Sequence, residues 1–520
     1  MICKNCGNIC PDGEKFCNNC GSQLDAAPVF TPPAVQVAPE NNAPSVPSQK
    51  KKGKGALIAV IAVLAVLIVA VGAVFALHVF EVIDLNEILG IEDDADDKDD
   101  DKDENKDENK DEDKDEDEDE DKDEDKDEDK DEPASRPVDT DEPSLPPSAS
   151  DVKIGFIYLH DENSTYDKNI MEAAKAACKE MGVEYAQKTH IPESSACYEA
   201  AVELIEIDGC DIIFADSFGH ESFIMQAAKE YPGVQFCHAT GTQAHTSGLD
   251  NFHNAYAAIH EGRYLTGVAA GMKLNEMIEA GEITAEEAKM GYVGTFTFAE
   301  VISGYTSFYL GAKYVCPSVT MDVKFTGSWY DERLEKEATQ ELINNGCVLI
   351  SQHADSWGAP TACEAAGVPN ISYNGSTVAA CPNTFIVSSR IDWTPYFKYI
   401  IECVQKDEEI DTDWAGTIET GSVVLSQIND DVAAEGTEEK LDEVAEKLAV
   451  GTMQVFDTST FTVDGEYIDS YIADVDTDYS FTPDTEVVED GIIYESRYRS
   501  APYFDLEIDG ITLLDRNYGD

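Results

Sequence analysis

From Asp151 onward the sequence predicts an α/β fold of two lobes, each a doubly wound parallel sheet. Two observations lead there: short apolar runs alternate with amphipathic segments, and the alternation occurs in two successive series. Strands alternating with helices pair in parallel through right-handed crossovers. In the first series Lys153–Leu159 (KIGFIYL) reads as a buried strand, Asn169–Met181 as a helix and Cys210–Ala215 as a strand. Glu221–Tyr231 then reads as a helix and Val234–His238 as a strand. The second series runs strand Met290–Val293, helix Glu300–Ala312, strand Thr320–Phe325, helix Glu332–Asn345 and strand Cys347–Ser351. Thr437–Leu448 (TEEKLDEVAEKL) has the capping-box start of a helix, and Met453–Phe456 (MQVF) reads as a strand. Residues after about 470 carry short β-like runs with no assigned role.

What precedes this domain is not globular in composition. The 520 residues carry a formal net charge of −69, much of it between Asp93 and Glu132, where Asp, Glu and Lys alternate. Such a run has too little apolar surface to offset its ordering entropy and is expected to stay extended and solvated. The acidity therefore describes a linker, and it excludes nucleic acid as a partner, which needs basic patches.

The first residues hold Cys3-x-x-Cys6 and Cys17-x-x-Cys20. Two such knuckles bring four thiolates to one tetrahedral centre, the closed donor set of structural Zn²⁺, and the metal would supply the folding energy of so short a peptide. Cys10 falls outside the spacing. Lys50, Lys51, Lys52 and Lys54 precede an apolar run from Gly55 to Phe80, interrupted only by His78. That run is long enough to span a hydrocarbon core of roughly 30 Å. The lysines are expected to stay cytoplasmic, leaving the ribbon inside and residues 81–520 outside. The expected order is a zinc ribbon (1–26), a flexible basic linker (27–54), one transmembrane helix (55–80), an acidic then Pro/Ser-rich disordered linker (81–150) and the two-lobed domain (151–520). A spacer of this kind suits passage through the thick wall of a Gram-positive bacterium.

Nine cysteines lie in the large domain, at positions 178, 197, 210, 237, 316, 347, 363, 381 and 403. Nine is odd, no CxxC occurs among them, and most sit in apolar stretches, where a free thiol packs as a small hydrophobe. They are expected to be reduced core residues, with one or two disulfides left open.

In doubly wound folds ligands bind beyond the carboxyl ends of strands. That rule selects the loops His160–Lys168, Asp216–His220, Thr295–Phe298, Gly327–Asp331, His353–Trp357 and Tyr373–Ser376. They are rich in aromatics and neutral polar groups, which suit a flat, hydrogen-bonding ring stacked between side chains. Tyr166, Ser217, Phe218, Phe298, Trp329, His353, Asp355, Trp357 and Asn374 are the candidate ligand contacts. Asp355 has an equal alternative as a helix cap, and Asp331 is assigned to capping. No zinc or other cofactor is expected in this domain.

The stretches IIFADSFGHESFIMQAAKEYPGVQFCHATG (Ile212–Gly241), NFHNAYAAIHEGRYLTGVAAG (Asn251–Gly271) and MGYVGTFTFAEVISGYTSFYLGAKYVCP (Met290–Pro317) resemble the basic membrane protein family of ABC-transporter solute receptors. GSWYDERLEKEA (Gly327–Ala338), SQHADSWGAPTACEAAGV (Ser351–Val368) and SSRIDWTPYF (Ser388–Phe397) extend the resemblance over about residues 151–470. It implies a type I periplasmic-binding-protein-like fold, a purine nucleoside or base as ligand, and an ABC permease as partner. Tyr166 and Trp329 match the aromatics that sandwich the base. The family's ribose-gripping Asp falls on Asn374 and its Lys close to Ser389, which favours a free base over a nucleoside. Ser164 stands where the nearest branch often has Trp.

Two other readings compete. A sensor would report ligand closure to the zinc ribbon, although one helix and a long flexible linker transmit rigid-body motion poorly. An enzyme, such as a nucleoside hydrolase, would need a nucleophile or metal constellation. The domain sequence has no nucleophile elbow, HExxH or comparable spacing, and the protein is therefore read as a receptor.

Overall fold

The computed structural model describes residues 152–475 and 482–515. The proposed zinc ligands Cys3, Cys6, Cys17 and Cys20, the apolar run 55–80 and the acidic linker lie outside them. No helix among the described residues is long and apolar enough to cross a membrane.

The first lobe is built on β1 (Lys153–Ile157), α1 (Thr165–Met181), β2 (Glu184–Lys188), α2 (Ser195–Glu206), β3 (Ile212–Ala215) and α3 (Glu221–Glu230). β4 (Gln235–Ala239), the short α4 (Ala244–Ser247) and β5 (Phe252–Ala257) follow. The chain then crosses to the second lobe through α5 (Ile259–Glu279), continuing as β6 (Lys289–Gly294), α6 (Ala299–Val315), β7 (Thr320–Phe325) and α7 (Glu332–Asn344). β8 (Leu349–Gln352), α8 (Gly358–Ala366), β9 (Asn370–Tyr373) and β10 (Phe385–Ile391) complete this series. It returns with α9 (Thr394–Lys406) and β11 (Asp413–Gly416), then crosses a third time to β12 (Val423–Leu425) and α10 (Thr437–Ala449).

The first sheet has the order β11-β5-β4-β3-β1-β2, parallel throughout. The second runs β12-β10-β9-β8-β6-β7, with β12 antiparallel, and ends on the strand Ile511–Leu513 beside β7. Both faces of each sheet are covered. α1 and α9 close one apolar layer of the first sheet, and α2 and α3 close the other. α5, α6 and α10 share one core on the second sheet, while α7 and α8 pack on its opposite face. Double coverage is why β3 (IIFA) and β8 (LISQ) are buried at every position.

Local chemistry sets the element ends. The Ser164 hydroxyl accepts from the Asp167 N–H to start α1, and Gly182 ends it at φ 69°, a left-handed conformation that costs glycine little. Asp331 caps α7 as expected, accepting from the Leu334 N–H at 2.9 Å. α5 and α6 cross on glycines. A Cβ at Gly311 would stand 2.0 Å from the Tyr264 carbonyl oxygen, and one at Gly267 2.0 Å from that of Phe308.

One strand expectation fails. Met453–Phe456 is not in a sheet. Its apolar residues are buried by ring packing instead, with Phe456 stacked on Phe504 at 4.1 Å between centroids. The nine domain cysteines are buried and unpaired. Burial pushes the thiols of Cys178, Cys210, Cys237 and Cys347 up to about 12.

Candidate ligand-binding site

The carboxyl ends of the strands in both sheets converge on one cleft. His160 follows β1, Asp216, Ser217 and Phe218 follow β3, and Thr240 follows β4. From the second lobe, Glu300 lies in the first turn of α6, Trp329 follows β7, His353 and Asp355 follow β8, and Tyr373 ends β9. With Leu159, Tyr166 and Asp167, these residues line a cavity of about 410 Å³.

The lobes meet around this cavity. Thr165 donates its backbone N–H and its hydroxyl to the Asp355 carbonyl at 2.9 and 3.2 Å. The Tyr256 hydroxyl donates to Glu300 Oε1 at 2.5 Å and lies 3.4 Å from the Tyr373 hydroxyl. His353 Nε2 is 3.3 Å from the same Glu300 oxygen.

Asp167, Asp216, Glu300 and Asp355 bring four carboxyl groups to the cavity. Burial opposes ionisation of Asp167, but hydrogen bonds from the His160 and Ser164 side chains and the His160 N–H outweigh it and hold the group below the usual range. Asp216 is pushed well above that range, by burial first and then by the Asp167 charge. One Asp216 oxygen accepts from the Leu159 N–H at 3.1 Å, and the other has no partner among the described residues. Asp355 is likewise pushed well up by burial and by the charges of Asp167, Glu335 and Glu300. Neither lysine nor arginine lines the cavity among the described residues.

Several hydroxyls around it are already committed as donors. Tyr166 donates to the Asp216 carbonyl at 2.8 Å, Ser217 to Glu193 Oε1 at 2.6 Å and Thr240 to the Ala239 carbonyl at 2.6 Å. Beneath Tyr373, the fully buried Arg263 guanidinium sits 4.6 Å from the ring centroid.

Of the residues expected from sequence, Tyr166, Ser217, Phe218, Trp329, His353 and Asp355 come together in this cavity. Asp355 does not cap α8, because the Ser356 hydroxyl accepts from the Gly358 N–H at 2.9 Å. Phe298 lies next door, in an outer chamber of about 800 Å³ that shares Phe218, Thr240 and Glu300 with the cavity. Trp357, at the start of α8, is not among the lining residues. Asn374 is not among them either. It is buried at φ 59°, and its side-chain amide has no hydrogen-bond partner among the described residues. His160, Asp167 and Asp216 fell inside the expected loops without being singled out. Glu300 was assigned only to a helix start, although its place in the first turn after β6 was the available signal.

Among the described residues no cluster of His, Cys, Asp and Glu could hold a metal. Residues 158–456 match the model of the Bmp family, described as ABC transporter substrate-binding protein PnrA-like. A purine-binding protein from Brucella abortus is 29% identical over 347 residues, covering 62% of this chain and 93% of that protein. A putative ABC transporter glucose-binding protein from Haloferax volcanii is 27% identical over 303 residues, covering 57% and 72%. A solute-binding protein of an Aeropyrum pernix ABC transporter system shares the fold at TM-score 0.50 and 16% identity, covering 61% of this chain and 94% of that one. The family and these neighbours are solute-binding proteins, not enzymes. With more than half its length matched, the chain belongs to the PnrA-like family of ABC transporter substrate-binding proteins.

Proposed function

We propose that the cleft binds a purine-type ring, as base or nucleoside, and presents it to an ABC permease. The observation that carries this reading is the meeting of four aromatic side chains, Tyr166, Phe218, Trp329 and Tyr373, with hydrogen-bonding carboxyls in one cavity. Flat faces take the ring by stacking, and Asp355 and Asp216 read its edge. The purine-binding relative supports the same reading. The sequence argument for a free base rested on Asn374 and Ser389. Neither lines the cavity, so the choice between base and nucleoside falls to measurement. Calorimetric titration of the domain with adenine, adenosine, guanine, guanosine and D-glucose tests the proposal. Micromolar binding of a purine compound is expected, and binding of glucose alone overturns it.

The sequence supports two further parts of this proposal. Residues 55–80 anchor the receptor with its domain outside, and Cys3, Cys6, Cys17 and Cys20 hold one structural zinc. Protease accessibility on intact cells and zinc content of the purified chain test them. Loss of residues 151–520 only after cell lysis, or less than one zinc per chain, removes the corresponding part.

A further inference from the structure

The C-terminal segment, beyond the family match, touches both lobes at the mouth of the cleft. In the second lobe its Phe504 ring stacks on Phe456, and the Tyr503 and Phe504 N–H groups donate to Glu495 Oε1 at 2.7 and 2.9 Å. The Tyr471 hydroxyl donates to the Tyr503 carbonyl at 2.9 Å, and further on Ile511–Leu513 joins the sheet beside β7. In the first lobe its contacts gather at Asp413 and His245, whose ring also meets the Tyr498 backbone. The Ser500 N–H donates to Asp413 Oδ1 at 2.6 Å, and His245 Nε2 lies 3.2 Å from the other oxygen of that carboxyl. Asp413 starts β11, the edge strand of the first sheet. Between these anchors, Ala501, Pro502, Tyr503 and Asp505 wall the outer chamber that adjoins the ligand cavity.

We propose that Asp413 is a positioning residue: through Ser500 it fastens residues 494–505 as a strap between the lobes and holds the cleft closed. The argument is geometric. The second-lobe side of the strap is fixed by aromatic packing and sheet pairing, which one opening motion cannot undo. The first-lobe side rests on a few hydrogen bonds at Asp413 and His245, which can break and reform. Opening the cleft therefore breaks the Asp413–Ser500 bond, together with the Thr165–Asp355 bond on the far side of the cavity.

Hydrogen–deuterium exchange on the ligand-free protein tests this without reference to any ligand. The Thr165 N–H is at the first turn of α1, where a helix supplies no acceptor, so its protection reports the cross-lobe bond. In Asp413→Ala the peptide holding Thr165 is expected to exchange about tenfold faster, the effect of losing one charge-assisted hydrogen bond. β3 amides in the lobe core stay at the wild-type rate. Asp413→Asn keeps an oxygen for the Ser500 N–H and restores most of the protection. His245→Ala, at an exposed position, gives a smaller acceleration. Unchanged Thr165 exchange in both alanine variants overturns the proposal, as does acceleration of the β3 amides in step with Thr165.

Discussion

Thr165 of the first lobe donates its backbone N–H to the Asp355 carbonyl of the second at 2.9 Å, which seals the cavity beside the Asp355 side chain. The seal leaves Asp355 6% exposed. Burial first, and then the charges of Asp167, Glu335 and Glu300, push the group well above its ordinary range.

Asp355→Asn therefore changes stability with a definite sign. A carboxyl whose pKa is raised on folding keeps a proton that the unfolded chain releases above about pH 4. Its presence costs increasing stability as pH rises from there. The variant is expected to melt at a higher temperature than wild type at pH 8, with the gap closing toward pH 4. Thermal unfolding followed by circular dichroism reads the difference.

Glu335 and Glu495 obey the same rule with a narrower window. Burial raises both from 4.5 to about 7. Stability should fall as pH rises from about 4.5 to 7 and level off above, with each group contributing about 3 kcal/mol at most. Glu495→Gln keeps an oxygen for the Tyr503 and Phe504 N–H groups and should flatten part of the profile. Denaturant unfolding at several pH values between 4 and 8 measures it, and an unchanged profile counts against the assignment.

Tyr166 separates stacking from hydrogen bonding. Tyr166→Phe loses only the bond to the Asp216 carbonyl, and purine affinity should weaken by about fivefold. Tyr166→Ala and Trp329→Ala remove a ring face each and should weaken it by more than about tenfold. Isothermal titration decides, and wild-type affinity in Trp329→Ala would remove that ring from the site.

The cysteines are expected to be silent in the native state. Burial and raised pKa values deny the thiolate to an alkylating reagent. Iodoacetamide at pH 8 should label none of the nine until denaturant is added. Mass spectrometry of the labelled chain counts them.

Gly311→Ala tests the helix crossing. The new methyl would meet the Tyr264 carbonyl, a backbone atom on another helix that cannot rotate away. A loss of about 1–3 kcal/mol or more is expected from such overpacking. Urea unfolding of the domain would show it as a lower midpoint.

Sequence periodicity alone determined the two-lobed α/β architecture, since buried parallel strands are apolar throughout and helices between them are not. It also located most of the cavity wall, because ligand loops must follow strand ends and Tyr166, Ser217, Phe218, Trp329, His353 and Asp355 lie in them. Local capping chemistry settled Asp331 correctly. Only the tertiary structure decided the state of Asp216 and Asp355, since a carboxyl's pKa depends on what encloses it. It alone kept Asn374 out of the lining and assigned Met453–Phe456 to ring packing, both products of neighbours distant in sequence. The segment after about 470 has no periodicity of its own to read. Its place beside β7 and Asp413 comes entirely from surfaces that the two folded lobes provide.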